Sequence, residues 1–273
     1  MLSVVKKTLL YLLLGFLALV AAFDIWGRLT LGTITPQENA ARDLRANEVV
    51  MVFGASGSVG DGLLKAALED PQVSKVHVVT RSLTPRIEQG AASGALELHM
   101  HKDFENYDSL REELATVNTV LWALGTSSLL VDDETYTWIH VDFPVAFVRT
   151  WLEERRQAPM AFHNVTGMGT DPEGSQKWAR EKGRAERELA AMAEGTGLRT
   201  FSYRSAYIRP TSEQSNALHY LGELLLRPGY LVIPGIELGR AMLEISARTE
   251  ELPNGTLLDN ADSIFYAELY APE

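Results

Sequence analysis

Val49-Val50-Met51-Val52-Phe53 runs straight into Gly54-Ala55-Ser56-Gly57-Ser58-Val59-Gly60, and these twelve residues set the class of the chain. A short apolar run rich in valine reads as a buried strand. The three glycines follow at intervals of three. The first lets the strand turn tightly, the second lets the backbone approach a pyrophosphate, and the third lets a helix pack closely on the sheet. An amphipathic helix then runs to about Leu68, with Asp70-Pro71 as its stop. Its N-terminus presents free N–H groups and the positive end of its dipole. Ser56 and Ser58 add hydroxyl donors. A glycine triplet alone is weak evidence. Between a strand and a helix, at the head of a βαβ unit, it assigns Gly54, Ser56, Gly57, Ser58, Val59 and Gly60 to a dinucleotide site.

Outward from this unit, strands and helices alternate. Strands are expected at Lys75 to Thr80, Ala95 to Met100, Thr119 to Ala123, Met160 to Val165 and Arg199 to Tyr203. A long helix is expected over about Asp133 to Arg155 and another over about Ser175 to Glu194. Beyond Thr211 lie Leu221–Leu226, Val232-Ile-Pro-Gly235 and a helix near Leu238–Ser246, a segment placed to close the substrate side of a cleft. Its apolar content fits a small hydrophobic substrate, a protein partner or plain core packing. Alternating elements imply right-handed crossovers, hence an α/β doubly wound parallel sheet of the Rossmann kind, in a single domain over residues 48–273.

The N-terminus reads differently. Lys6 and Lys7 precede an uncharged run from Thr8 to Phe23, closed by Asp24 and Arg28. Sixteen residues make about 24 Å of helix, and Ile25, Trp26 and snorkelling lysines extend it toward a ~30 Å hydrocarbon core. The favoured reading is a single-pass anchor over residues 1–27, in the bilayer through residues 8–26. A cleaved signal peptide is the alternative, against a poor small-x-small site at Val20–Asp24. A core helix is disfavoured, because the run has no polar face. The nearest lysines place the N-terminus inside, but Arg28, Arg42 and Arg45 follow the span, so the side of the soluble domain stays open. Residues 28–47 read as a polar linker, helical from about Pro36.

The chain has 273 residues, 46% apolar and 22% charged, with 25 basic and 36 acidic side chains and a net charge of −11. Residues 1–47 hold five of the basic and three of the acidic side chains, so the acidity belongs to the soluble part. Such a surface repels phosphate backbones and excludes nucleic acid as a partner. No cysteine is present, which excludes disulfides, thiolate metal sites and a cysteine nucleophile. The six histidines lack a ligand spacing such as H-x-x-x-H, so no metal is expected.

The second strand ends in Thr80-Arg81-Ser82, where NAD-preferring folds place an acidic residue for the ribose. An arginine fork suits a 2′-phosphate, so Arg81 and Ser82 favour NADP, with NAD as the alternative. Asp103 and Leu124-Gly125-Thr126, past the third and fourth strands, fall where adenine and its ribose would lie.

Together, GASGSVG, the VTRS after strand two, the HKDF after strand three and the ALGT after strand four resemble an atypical short-chain dehydrogenase/reductase. The resemblance is nearest to the NAD(P)H-binding group that includes the TIP30-like oxidoreductases. His163–Asp171, Trp178–Gly183 and Tyr203–Pro210 are similar to that group's later segments, so the likeness spans about residues 48 to 265. It implies a tyrosine four residues before a lysine, plus a serine from the preceding strand end. The tyrosine moves the substrate proton, and the lysine binds ribose hydroxyls and lowers the tyrosine pKa. Here that position reads Trp178-x-x-x-Lys182, and an indole N–H cannot serve as general acid or base near neutral pH. Thr166 is the only hydroxyl in the serine region, and Arg204-Ser205-Ala206 replaces the arginine-proline-glycine segment. Lys182 and Thr166 remain as the catalytic candidates. Tyr136, His140, His163 and Tyr207 are further proton-bearing residues, each better read as an ordinary buried aromatic or a hydrogen-bonded histidine. Two functions stand: a membrane-anchored NADP-dependent oxidoreductase with a nonstandard proton donor, or a noncatalytic cofactor-sensing or scaffold protein at a membrane.

Overall fold

The valine-rich run forms β1 (Val49–Phe53), a central strand of a seven-stranded parallel sheet in the computed structural model, which describes residues 2–271. On one side of it stand β2 (Lys75–Thr80) and β3 (Glu97–Met100). On the other stand β4 (Thr119–Trp122), β5 (Met160–Val165), β6 (Leu198–Tyr203) and β9 (Thr256–Leu258). Phe53 pairs with Val79 of β2 and with Trp122 of β4, so the chain order reverses on either side of β1. This doubly wound order leaves a crevice beyond the carboxyl ends of β1 and β4.

Alternation along β1 divides the core. Val50 and Val52 face α2 (Ser58–Glu69), α9 (Gly235–Ala247) and α10 (Asn260–Leu269). Met51 and Phe53 face α4 (Arg111–Leu114), α6 (Phe143–Glu154) and α7 (Lys177–Ala193). The second layer is aromatic: Phe53 sits 4.4 Å from Trp122 and 4.8 Å from Phe147, ring centre to ring centre. A short α3 (Pro85–Ser93) joins β2 to β3, and β7 (Tyr207–Arg209) pairs with β8 (Val232–Pro234) in a second parallel sheet bracketing α8 (Ala217–Leu226).

Two expectations need correction. The long helix over Asp133 to Arg155 is interrupted: α5 (Asp133–Thr137) passes into a π-helical turn at Trp138–Asp142 before α6 begins. Residues 36–43 are not helical; a 3₁₀ turn appears only at Leu44–Asn47. The segment instead is tied to α9 and α10 by side chains of those helices and their caps. Gly32 N–H donates to Asp259 and Ile34 N–H to Asp262, while Arg42 pairs with the fully buried Glu244 at 2.8 Å. Carboxylates of the domain therefore satisfy this backbone, where a helix would have satisfied it internally.

Ahead of it runs α1 (Leu2–Thr30), a helix whose Val4–Thr30 portion is long and apolar enough to cross a membrane. Its C-terminal end meets the 3₁₀ turn Arg227–Gly229. A Cβ on Gly27 would lie 1.9 Å from Gly229 O, so two glycine backbones touch where the helix joins the domain.

Candidate active site

Gly54 ends β1 with φ +73°, and a Cβ there would meet Ala123 O at 2.4 Å. Only glycine turns the strand under the end of β4. Gly57 N–H donates to Gly54 O at 2.9 Å, closing the turn. A Cβ on Gly60 would come within 2.1 Å of Gly54 O, which is how closely α2 packs on the strand. Gly57 is the N-cap of α2, exposed and without a side-chain cap. The first-turn N–H groups of α2 are thus left for a ligand.

These residues form one wall of a cavity of about 420 Å³. Gly57, Ser58 and Val59 line it with Leu124, Gly125 and Thr126 after β4, Thr166 and Gly167 after β5, Lys182 from α7, and Ser205 after β6. Of the sequence candidates, eight therefore share one cleft: Gly57, Ser58, Val59, Leu124, Gly125, Thr126, Thr166 and Lys182. Gly54, Ser56 and Gly60 build the loop behind it. Arg81, Ser82 and Asp103 do not line the cavity. They follow β2 and β3, next along the same edge of the sheet. Thr80 Oγ1 accepts from Ser82 N–H at 3.2 Å, fixing the turn on which the exposed Arg81 sits. Arg81 has no ion-pair partner among the described residues. Asp103 caps its own turn, accepting from Glu105 N–H at 3.1 Å.

Trp178 and Lys182 are one helical turn apart on α7, hence on one face. The half-buried indole rests on the 167–170 loop, with its ring 3.2 Å from the position of a Cβ on Gly169. The Lys182 ammonium donates to Thr166 O. Burial lowers its pKa to about 8, against an opposing pull from Glu186. The hydroxyl of Thr166 is committed elsewhere: it donates to the buried Glu186 at 2.9 Å, which also holds Arg204 at 2.6 Å. Thr166 thus enters the wall with its hydroxyl bonded to Glu186 and its carbonyl to Lys182.

Two cleft residues carry more than their sequence context indicates. His140 lies in the π-helical turn, 8% exposed, and lines the cavity. Its Nε2 meets the backbone of Thr126, and Tyr136 packs against it at 4.2 Å. Burial, reinforced by Lys182, lowers its pKa to about 4, so the ring is neutral at pH 7. Ser205 Oγ is buried in the cavity wall without a hydrogen-bond partner. An orphaned buried hydroxyl is costly unless a ligand completes it. A π-helical interruption is the kind of local irregularity found at functional sites, but no periodic pattern in the sequence announces it.

His163 and Tyr207 do not join the cleft. His163 is fully buried, bonded to Tyr203 and Ser246 at 2.7 Å each, and burial holds it neutral. Tyr207 lies in β7, half-buried. Histidines do gather across the sheet edge: donor atoms of His77, Glu97 and His99 lie within 4.8 Å of one another. The two rings are already hydrogen-bonded at 3.0 Å, and Glu97 pairs with Lys75 at 2.8 Å.

No family model matches the chain, and no curated protein sequence matches it. Solved structures do match. An oxidoreductase of the short-chain dehydrogenase/reductase family from Burkholderia thailandensis superposes with a TM-score of 0.58 at 16% identity, over 79% of this chain and 92% of that one. RhlG from Pseudomonas aeruginosa, solved with NADP, gives 0.60 at 13% identity, over 80% and 96%. The fold is that of the short-chain dehydrogenases and reductases. UDP-glucuronic acid 4-epimerase from Bacillus cereus, solved with its sugar nucleotide and NAD, gives 0.59 at 14% identity, over 77% and 76%. At these identities the likeness is one of architecture, and the epimerase illustrates that one architecture hosts more than one reaction.

Proposed function

We propose that this chain is a membrane-anchored, NAD(P)-binding oxidoreductase of the short-chain dehydrogenase/reductase type, with a proton donor other than tyrosine. The observation that carries the reading is the meeting of an uncapped helix N-terminus and the Lys182 ammonium in one cavity, at the crevice beyond β1 and β4. The residues present fit a dinucleotide. The α2 N–H groups suit the pyrophosphate, Lys182 suits ribose hydroxyls, and the orphaned Ser205 hydroxyl suits a polar group deep in the cleft. The NADP and NAD in the neighbouring structures agree with this, and the exposed, unpaired Arg81 favours the 2′-phosphate.

When bound, such a cofactor would supply hydride chemistry at its nicotinamide ring. The chain's own task is the proton. Trp178 cannot deliver one, and the neutral His140, with its low pKa, is a poor acid at pH 7. Lys182, poised near pH 8, is the remaining acid of the cavity wall, and its ammonium can donate to a developing alkoxide. The second reading, cofactor sensing without turnover, is favoured by Trp178 itself.

Tryptophan quenching in the full-length protein, titrated with NADPH and NADH, tests the binding reading. NADPH is expected to bind in the micromolar range and more tightly than NADH. Arg81→Glu is expected to weaken NADPH by tenfold or more, on the scale of one charged hydrogen bond, and to spare NADH. Binding of neither cofactor would overturn the proposal.

A further inference from the structure

The helix α8 is turned inside out for a protein surrounded by water. Leu218, Leu221 and Leu224, spaced along one face, are 75%, 55% and 61% exposed. Its carboxylate, Glu223, is tucked inward and paired with Arg209 at 2.7 Å. A surface helix normally shows the opposite arrangement.

The neighbour of this helix is α1. Along α1 the half-buried residues are Phe16, Val20, Phe23 and Asp24, followed by the buried Gly27, a spacing that marks one face. α8 and the Arg227–Gly229 turn pack against α1. Gly27 meets Gly229 at the foot of the apolar run, and a Cβ on Gly229 would lie 2.3 Å from Phe23 O. At that level stand Trp26 and Arg28 of α1 and Arg227 and Tyr230 after α8, with Arg28 5.6 Å above the Tyr230 ring. Aromatic and arginine side chains gathered at one height are suited to a headgroup layer.

We propose that α8 is a second membrane element, lying in the interface beside α1 with Leu218, Leu221 and Leu224 in lipid. The inference rests on the reading of α1 as an anchor. It also brings the cleft to the bilayer, because α8 leaves and re-enters the fold through β7 and β8, and Ile208 of β7 lines the cavity. Gly222 of α8 lies against Tyr207 of the same strand. A substrate dissolved in lipid would therefore reach the cavity past α8.

The natural absence of cysteine allows single labels in the full-length protein. Cysteines at Leu13 in α1, Leu221 in α8 and Glu105, exposed in the turn after β3 at the other end of the sheet from β9, would carry an environment-sensitive fluorophore. The protein is reconstituted in phosphatidylcholine–phosphatidylglycerol vesicles holding nitroxide-labelled acyl chains. Quenching at residues 13 and 221 but not 105 is the expected result. Quenching at 13 alone overturns the role of α8 and leaves the anchor standing. Quenching at neither overturns both. A label at 221 that is blue-shifted yet unquenched by lipid assigns the face to protein contact and overturns the proposal as well.

Discussion

At the β1–α2 turn the features suited to hold a phosphate are mainly backbone, with the Ser56 and Ser58 hydroxyls beside it, whereas at β5–α7 the features suited to move a proton are side chains. The first region keeps its glycines because Gly54 and Gly60 leave no room for a Cβ. The second keeps its frame too: a helix with Trp178 and Lys182 one turn apart beside the strand end. There the indole of Trp178 sits on a regular helix and rests on the 167–170 loop. Sterics guard one half of the cleft and only chemistry guards the other. Binding and turnover are therefore separable by mutation.

The largest effect should come from the sterically guarded half. Gly60→Val forces a branched side chain against Gly54 O and should cost about 3 kcal/mol of stability with loss of NADPH binding. Thermal unfolding and titration read both. Gly57→Ala, whose Cβ meets only Gly54 O at 3.3 Å, should keep the fold and weaken binding alone. If Gly60→Val binds normally, the backbone argument fails.

Next comes Trp178→Tyr. Placing a phenol one turn from Lys182 should raise turnover by about 100-fold, at the lower end of what general acid catalysis supplies. Reduction of a panel of apolar ketones and aldehydes by NADPH measures it. A Trp178→Tyr variant no faster than the parent on any of them would favour the sensing reading.

The smallest effect concerns pH. Lys182 is charged below its pKa of about 8 and loses its proton above it. A reduction that uses the ammonium should be flat below pH 8 and fall tenfold per unit above. Lys182→Arg should keep the charge yet lose most of the turnover, because a guanidinium that stays protonated cannot give up its proton. Turnover unchanged by that substitution would remove Lys182 from proton transfer.

The sheet was largely legible in the sequence, because valine-rich runs and glycine turns are local signals. β1, β2 and β5 fall on the expected residues, and β6 starts one residue earlier. What stayed illegible depends on distant partners. β7 and β9 are three residues each, too short for a period. The 31–43 segment is held by Asp259, Asp262 and Glu244, more than 200 residues away. Within the cleft, spacing pointed to Lys182, but only the fold reveals that Glu186 takes the Thr166 hydroxyl and that Ser205 is left without a partner.

The glycine-on-glycine crossing of Gly27 and Gly229 has a mechanical meaning. An anchor on a flexible leash lets its cargo sample a hemisphere, at any tilt and height the leash permits. Two backbones in contact, followed by a strap bonded to α10 and α9, permit no such sampling. In a bilayer the domain would spin about the membrane normal and drift in the plane, but its rim would always meet the lipid at one fixed angle.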